Sequence, residues 1–215
     1  MKGQPIQAFI RRLINRAPFK CALASIGGVG STALARHIGS IADKSDREHA
    51  YSPVVYNCED NIRLGFVYGN PYNAVISVFR RNYQAMHAQA MNAGSGVRPA
   101  DLRGVTLESY LKRGIDEFNL ERQFENWAHA ADLKHPTIII RYEYLVDHID
   151  EVLKFFGCRY VFDVRQRTSS WQKQPAQIQD GLVQMYGGLN AKIEAMPPIK
   201  IIYPGANQAE MHKPV

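Results

Sequence analysis

Residues 25–32 of this 215-residue chain read Ser-Ile-Gly-Gly-Val-Gly-Ser-Thr. Gly27, Gly28 and Gly30 let a backbone approach a ligand closely, and Ser31 and Thr32 add hydroxyl donors. The stretch before them, Phe19 to Ala24, is short and apolar enough for a buried strand. After them, Leu34, His37, Ile38 and Ile41 recur at helical spacing. The pattern is strand, glycine-rich turn with Val29 inside it, then helix. Free N–H groups and the positive end of a helix dipole then face an anion, so the chemistry would be phosphate or sulfate binding. A Walker loop would carry a lysine where Ser31 stands. The same residues also suit a tight turn that binds nothing, and this stretch alone leaves both readings open.

Other elements must surround that turn. Val54 to Tyr56 and Ile62 to Tyr68 are strand candidates, separated by a polar turn containing Glu59 and Asp60. Asn70 is a natural helix N-cap and Pro71 a natural first helical residue, with Ala74, Val75, Val78 and Phe79 forming an apolar face. Residues 92–105 form a long loop of the kind that serves as a lid or substrate loop. Thr106 caps the next helix, a further helix carries Trp127, and Thr137 to Ile140 is the clearest buried strand. Beyond it comes a helix with Ile149, Val152, Leu153, Phe155 and Phe156, ended by Gly157. Val161 to Val164 leads into a basic segment containing Arg165, Arg167 and Lys173, and a last helix spans roughly Ala176 to Ala195. Strands alternating with helices predict an α/β fold with a parallel sheet covered on both faces.

Bulk properties bound the function without choosing it. Hydrophobic residues at 46% and charged residues at 21% suit one globular domain over 1–215. Residues 1–18 are expected as an amphipathic segment and 204–215 as a frayed tail. A net charge of +6 favours anionic partners. Cys21, Cys58 and Cys158 are far apart and form no CxxC pair, so neither a zinc site nor a disulfide framework is expected. The apolar run near Phe9 to Ile14 is too short and interrupted for a secretion signal, and no stretch suits a transmembrane span. The expected location is cytoplasmic.

Three stretches together resemble the small P-loop sulfotransferases, which use 3′-phosphoadenosine-5′-phosphosulfate (PAPS). The first is the strand, Gly27 to Thr32 and the helix. The second is Val67-Tyr68-Gly69-Asn70-Pro71 with Ser77 eight residues after Gly69. The third is Trp127, Ile138-Ile139-Ile140, Tyr142-Glu143-Tyr144-Leu145 and Phe155-Phe156-Gly157 in order. The resemblance covers about residues 19–158 and implies a three-layer P-loop-type fold, with a central parallel sheet and helices on both faces.

It also implies roles. Gly27, Gly28, Val29, Gly30, Ser31 and Thr32 would hold the phosphosulfate, Ser77 the 3′-phosphate, and Tyr142 would lie near the adenine. Glu59 would take the acceptor's proton. The family's loop cation falls on Gly28 and its 3′-phosphate arginine on Gly69, so both cations are missing. Arg36, Arg80, Arg81, Arg165, Arg167 and Lys173 are the candidates to replace them, and Arg165 and Arg167 are expected to close over the donor. The implied reaction moves a sulfuryl group from PAPS to a hydroxyl or amine of an unidentified acceptor such as a carbohydrate. It needs no metal and no nucleic acid. A non-catalytic nucleotide or glycan binder on the same fold is the alternative, followed by a divergent P-loop kinase.

Overall fold

The computed structural model describes residues 19–39, 49–131, 133–158 and 170–204. Residues 1–18, Val161 to Val164, Arg165, Arg167 and 205–215 lie outside them. Four strands, β1 (Lys20–Ser25), β2 (Ile62–Tyr68), β3 (Thr137–Arg141) and β4 (Ile199–Ile202), form one open sheet in the order β1-β2-β3-β4. The first three are parallel, with Ser25 opposite Val67 and Val67 opposite Ile140. They are buried almost throughout, which explains their near-continuous apolar sequences.

β4 runs antiparallel to β3, pairing Thr137 with Ile202, so the sheet is mostly rather than wholly parallel. The sequence suggests only an extended tail there. Pro197 and Pro198 hide the strand, and its residues are half-buried as expected of an edge. The expected strand at Val54 to Tyr56 is instead a 3₁₀ turn, Pro53–Tyr56. The Ser52 side chain accepts from the Val54 N–H and Pro53 opens the turn. Local capping there outweighs the β preference of Val-Val-Tyr.

Helices α1 (Thr32–Gly39), α2 (Pro71–Arg80), α3 (Gln84–Asn92), α4 (Leu107–Arg113), α5 (Leu120–Ala128), α6 (Ile149–Phe155) and α7 (Ala176–Ala195) surround the sheet. Asn70 caps α2 by accepting from Asn73 N at 3.0 Å, with Pro71 next. α6 ends at Gly157 (φ +66°), where Cys158 N donates to Leu153 O at 2.8 Å in a Schellman turn. α5 lays Trp127 flat on Phe66, with ring centroids 5.0 Å apart, and packs Phe124 edge-on to Tyr68. Arg63 points the other way, as strand alternation requires, and donates to the Phe155 carbonyl at the end of α6. Side chains therefore cover both faces of β2, and one apolar core runs from Cys21 to Ile193.

Candidate functional site

The carboxyl ends of β1, β2 and β3 all point the same way. The loop after β1, the β2–α2 junction and the turn Tyr142–Tyr144 therefore meet at one edge of the sheet, where open α/β sheets bind ligands. In the loop after β1, Ile26 and Val29 are buried in the core and act as anchors. Val29 contributes only backbone to any ligand. The glycines between them make room for three neighbours.

A methyl group on Gly27 would lie 2.2 Å from Nδ1 of His87. One on Gly28 would lie 2.3 Å from the carbonyl oxygen of Ala74 in α2. One on Gly30 would touch the Tyr142 ring at 3.0 Å. Gly28 and Gly30 also have φ of +91°, which a side chain would strain. The first turns of α2 thus occupy the space that a cation at position 28 would need. Ser31 donates from its hydroxyl to Ser25 Oγ at 2.8 Å, tying the loop to its own strand.

A cleft of about 150 Å³ opens beside this loop. Gly28, Gly30, Ser31 and Thr32 line it together with His49, Arg81, Tyr83 and His87. That volume is well below the roughly 300–1,000 Å³ usual for drug-sized ligands, so it suits the charged end of one. Among the described residues, no carboxylate lines it.

Two histidines and an arginine reach the cleft from separate elements. His49 is held there by α5: Gln123 donates to the carbonyls of His49 and Ala50, and Trp127 Nε1 donates to Ala50 O at 2.9 Å. His49 Nδ1 then meets the Ser25 carbonyl at 3.0 Å, which fixes the proton on that nitrogen. Arg81 donates from Nε to the Ser77 carbonyl at 3.0 Å, with its guanidinium 5.2 Å from the Tyr83 ring. His87 is 4% exposed, and its Nδ1 has no hydrogen-bond partner. Burial, and then the neighbouring His49 and Arg81, push its pKa down to about 4.

The other expected site residues divide. Ser77 is buried in α2 and does not line the cleft, and its Oγ has no partner. Tyr142 lies against Gly30. Glu59 is not brought to the loop. It pairs with Lys20 at 3.0 Å, at the amino end of β1, roughly 17 Å of strand away from the loop at about 3.3 Å per residue. Arg165 and Arg167 lie outside the described residues, whereas Arg81 reaches the cleft. Arg141, at the end of β3, is paired with Glu194 at 2.7 Å and lies 3.6 Å from Glu143. Glu143 also accepts from Asn70 N at 2.7 Å, and a side chain on Gly69 would meet its carboxylate at 2.9 Å.

Sequence reasoning missed His49 and His87. Neither stands in a motif, and each becomes a site residue only through long-range packing. The single signal was Gly27, whose missing side chain leaves the space that His87 fills.

A second cavity, of about 450 Å³, lies between the end of α2, Gly104 to Leu107 and Gln174. Gln84 lines it, donates to the Val105 carbonyl at 3.1 Å, and leaves Oε1 without a partner. Comparison of the chain with protein-family models, curated proteins and solved structures finds no match. No group of three or more His, Cys, Asp or Glu among the described residues is placed to hold a metal ion, and no helix of theirs is long and apolar enough to cross a membrane.

Proposed function

We propose that this chain is a P-loop-type protein with the three-layer arrangement of the sulfotransferases, and that it transfers a sulfuryl group from PAPS to a hydroxyl or amine acceptor. The observation that carries the anion half of this reading is the cleft. A glycine loop, the first turn of α1, Arg81 and a buried histidine without a partner converge there, with no carboxylate among the described lining residues. A cation and a buried polar nitrogen beside free backbone N–H groups favour an anion over a neutral or cationic ligand.

In this reading the loop holds the phosphosulfate end of PAPS. Arg81 takes over the work of the missing loop cation, because Ala74 leaves no room for one at Gly28. The Ser77 hydroxyl, buried without a partner, fits an oxygen of the 3′-phosphate. The 450 Å³ cavity lined by Arg80, Asn82 and Gln84 takes the acceptor, and Gln84 Oε1 suits a hydroxyl or amine such as a sugar presents. An acceptor oxygen attacks sulfur in line, the S–O bond to the adenosine bisphosphate breaks, and His49 receives the acceptor's proton. Positioning and charge stabilisation supply most of the catalysis.

A specific observation also favours binding without turnover. Glu143 occupies the junction where the family's second arginine would stand. Transfer of label from PAPS to a panel of phenols, amines and saccharides separates the two. Labelled product that disappears in Arg81→Gln supports sulfuryl transfer. Tight binding of adenosine 3′,5′-bisphosphate with no product from any acceptor assigns the chain to the binding reading.

A further inference from the structure

His87 sits inside the loop's own curve, in the volume that a side chain on Gly27 would otherwise occupy. It is 4% exposed, lines the cleft, and leaves Nδ1 without a hydrogen-bond partner. The groups facing it come from every element packed there. The segment clamped by α5 brings His49, with ring centroids 4.7 Å apart. The turn after α2 brings Arg81 and Tyr83, the latter's ring 6.1 Å away and nearly parallel. The loop and α1 bring only the Ser31 and Thr32 hydroxyls. Among the described residues, no carboxylate lines the cleft beside it.

We propose that the cleft takes a dianion, the phosphate or phosphosulfate end of a larger ligand, together with one proton, and that His87 receives that proton. This rests on the anion-binding reading of the loop above, and extends it by making the charge of the site depend on its occupant. An ordinary phosphate loop carries a fixed lysine or arginine. Here the place for one is filled by α2, and a titratable ring stands nearby instead.

Without a ligand, His87 stays neutral down to about pH 4, because burial first, then His49 and Arg81, oppose its charging. A dianion beside it reverses that balance. An opposite charge within about 4–6 Å raises such a group by roughly 1–3 pKa units, which brings His87 towards neutral pH. Its pKa is then higher in the bound state than in the free one. Affinity for the dianion must rise as pH falls through the bound value, and level off below the free value. A further consequence concerns the empty protein. The His87 pKa is depressed relative to an unfolded histidine, so stability is lost as pH falls from about 6.5 towards 4, and a bound dianion restores it.

Sulfate is the probe, because it stays a dianion where phosphate would itself titrate. The His87 ring is titrated by NMR with and without sulfate, and sulfate affinity is measured by calorimetry at both ends of the range. The expected result is a His87 pKa about two units higher with sulfate, and affinity about tenfold greater near pH 5 than near pH 7. His87→Gln should flatten that dependence, whereas His49→Asn, which keeps a donor for the Ser25 carbonyl, should retain it. Sulfate that binds while His87 titrates identically with and without it would overturn the proton uptake and leave the loop reading standing. Failure of both sulfate and adenosine 3′,5′-bisphosphate to bind at either pH would overturn both. A last arm compares adenosine 3′,5′-bisphosphate, whose phosphates are dianions near neutral pH, with a sulfated oligosaccharide, whose sulfate esters are monoanions: the bisphosphate should raise the His87 pKa more, and no rise with it overturns the assignment to a larger ligand. Because the ring titration is made on the parent protein, the proposal stays testable even if His87→Gln folds poorly.

Discussion

Two strand-to-helix junctions stand side by side at the carboxyl edge of the sheet, and they are finished in opposite ways. After β2, the protein closes the helix start with its own groups. Asn70 caps Asn73 N, Glu143 accepts from Asn70 N, and Asn73 Oδ1 accepts from Ser170 N and Trp171 N. After β1, the loop faces an open cleft lined by Arg81, His49 and a buried His87 whose Nδ1 has no partner. A helix start closed by its own side chains and a carboxylate has no need of a ligand. One left facing Arg81 and a buried ring nitrogen without a hydrogen-bond partner is the better candidate for an anion. The two junctions share a glycine-rich or Gly-Asn-Pro sequence, but only their surroundings tell them apart.

The largest expected effect comes from breaking the first junction. Gly28→Ala puts a methyl group against the Ala74 carbonyl at a φ of +91°. It should cost about 3 kcal/mol or more in chemical denaturation, the sum of left-handed strain and overpacking. Gly28→Lys should fare no better, although it restores the residue type that sulfotransferase loops carry. Next comes the clamp on His49. Gln123→Ala strips its donor from the His49 and Ala50 carbonyls in a fully buried setting. It should cost about 1–3 kcal/mol and weaken sulfate binding severalfold as His49 shifts.

Breaking the second junction should touch stability alone. Glu143→Gln keeps an oxygen for Asn70 N but gives up the charge, so about 1 kcal/mol should be lost, with sulfate affinity unchanged. A marked rise in affinity would mean that the carboxylate had been repelling an anion at this junction too. The smallest effect is expected at the far end of the sheet. Glu59→Gln breaks only the half-exposed pair with Lys20, and should change stability by less than about 0.5 kcal/mol and binding not at all.

Much of the frame was legible in the sequence. Buried parallel strands announce themselves as apolar runs, so β1, β2 and β3 could be read directly, as could the Asn70–Pro71 start of α2 and the full span of α7. α3 could not, because Gln-Ala-Met-His-Ala-Gln-Ala-Met-Asn has no strong apolar face, and the helix is set by packing after Asn82 turns the chain at φ +55°. The same segment carries His87, so missing the helix meant missing the histidine. Glu59 misled for a topological reason. A turn before a parallel strand lies at the opposite end of the sheet from the loop after its neighbour, and the expected strand at Val54 to Tyr56 had suggested otherwise. The closeness of Arg81 to the loop also depends on the third dimension, since fifty residues of chain separate it from Ser31.

The central claim is that the loop after β1, and not the junction after β2, is built for an anion. The most direct measurement is an NMR titration of the labelled protein with adenosine 3′,5′-bisphosphate, following backbone amides and histidine rings. The account predicts saturable shifts at Gly28, Gly30, Ser31 and Thr32 and in the His49 and His87 rings. Shifts confined to Asn70 to Asn73 and Glu143, or no saturable shift at any concentration, would contradict it.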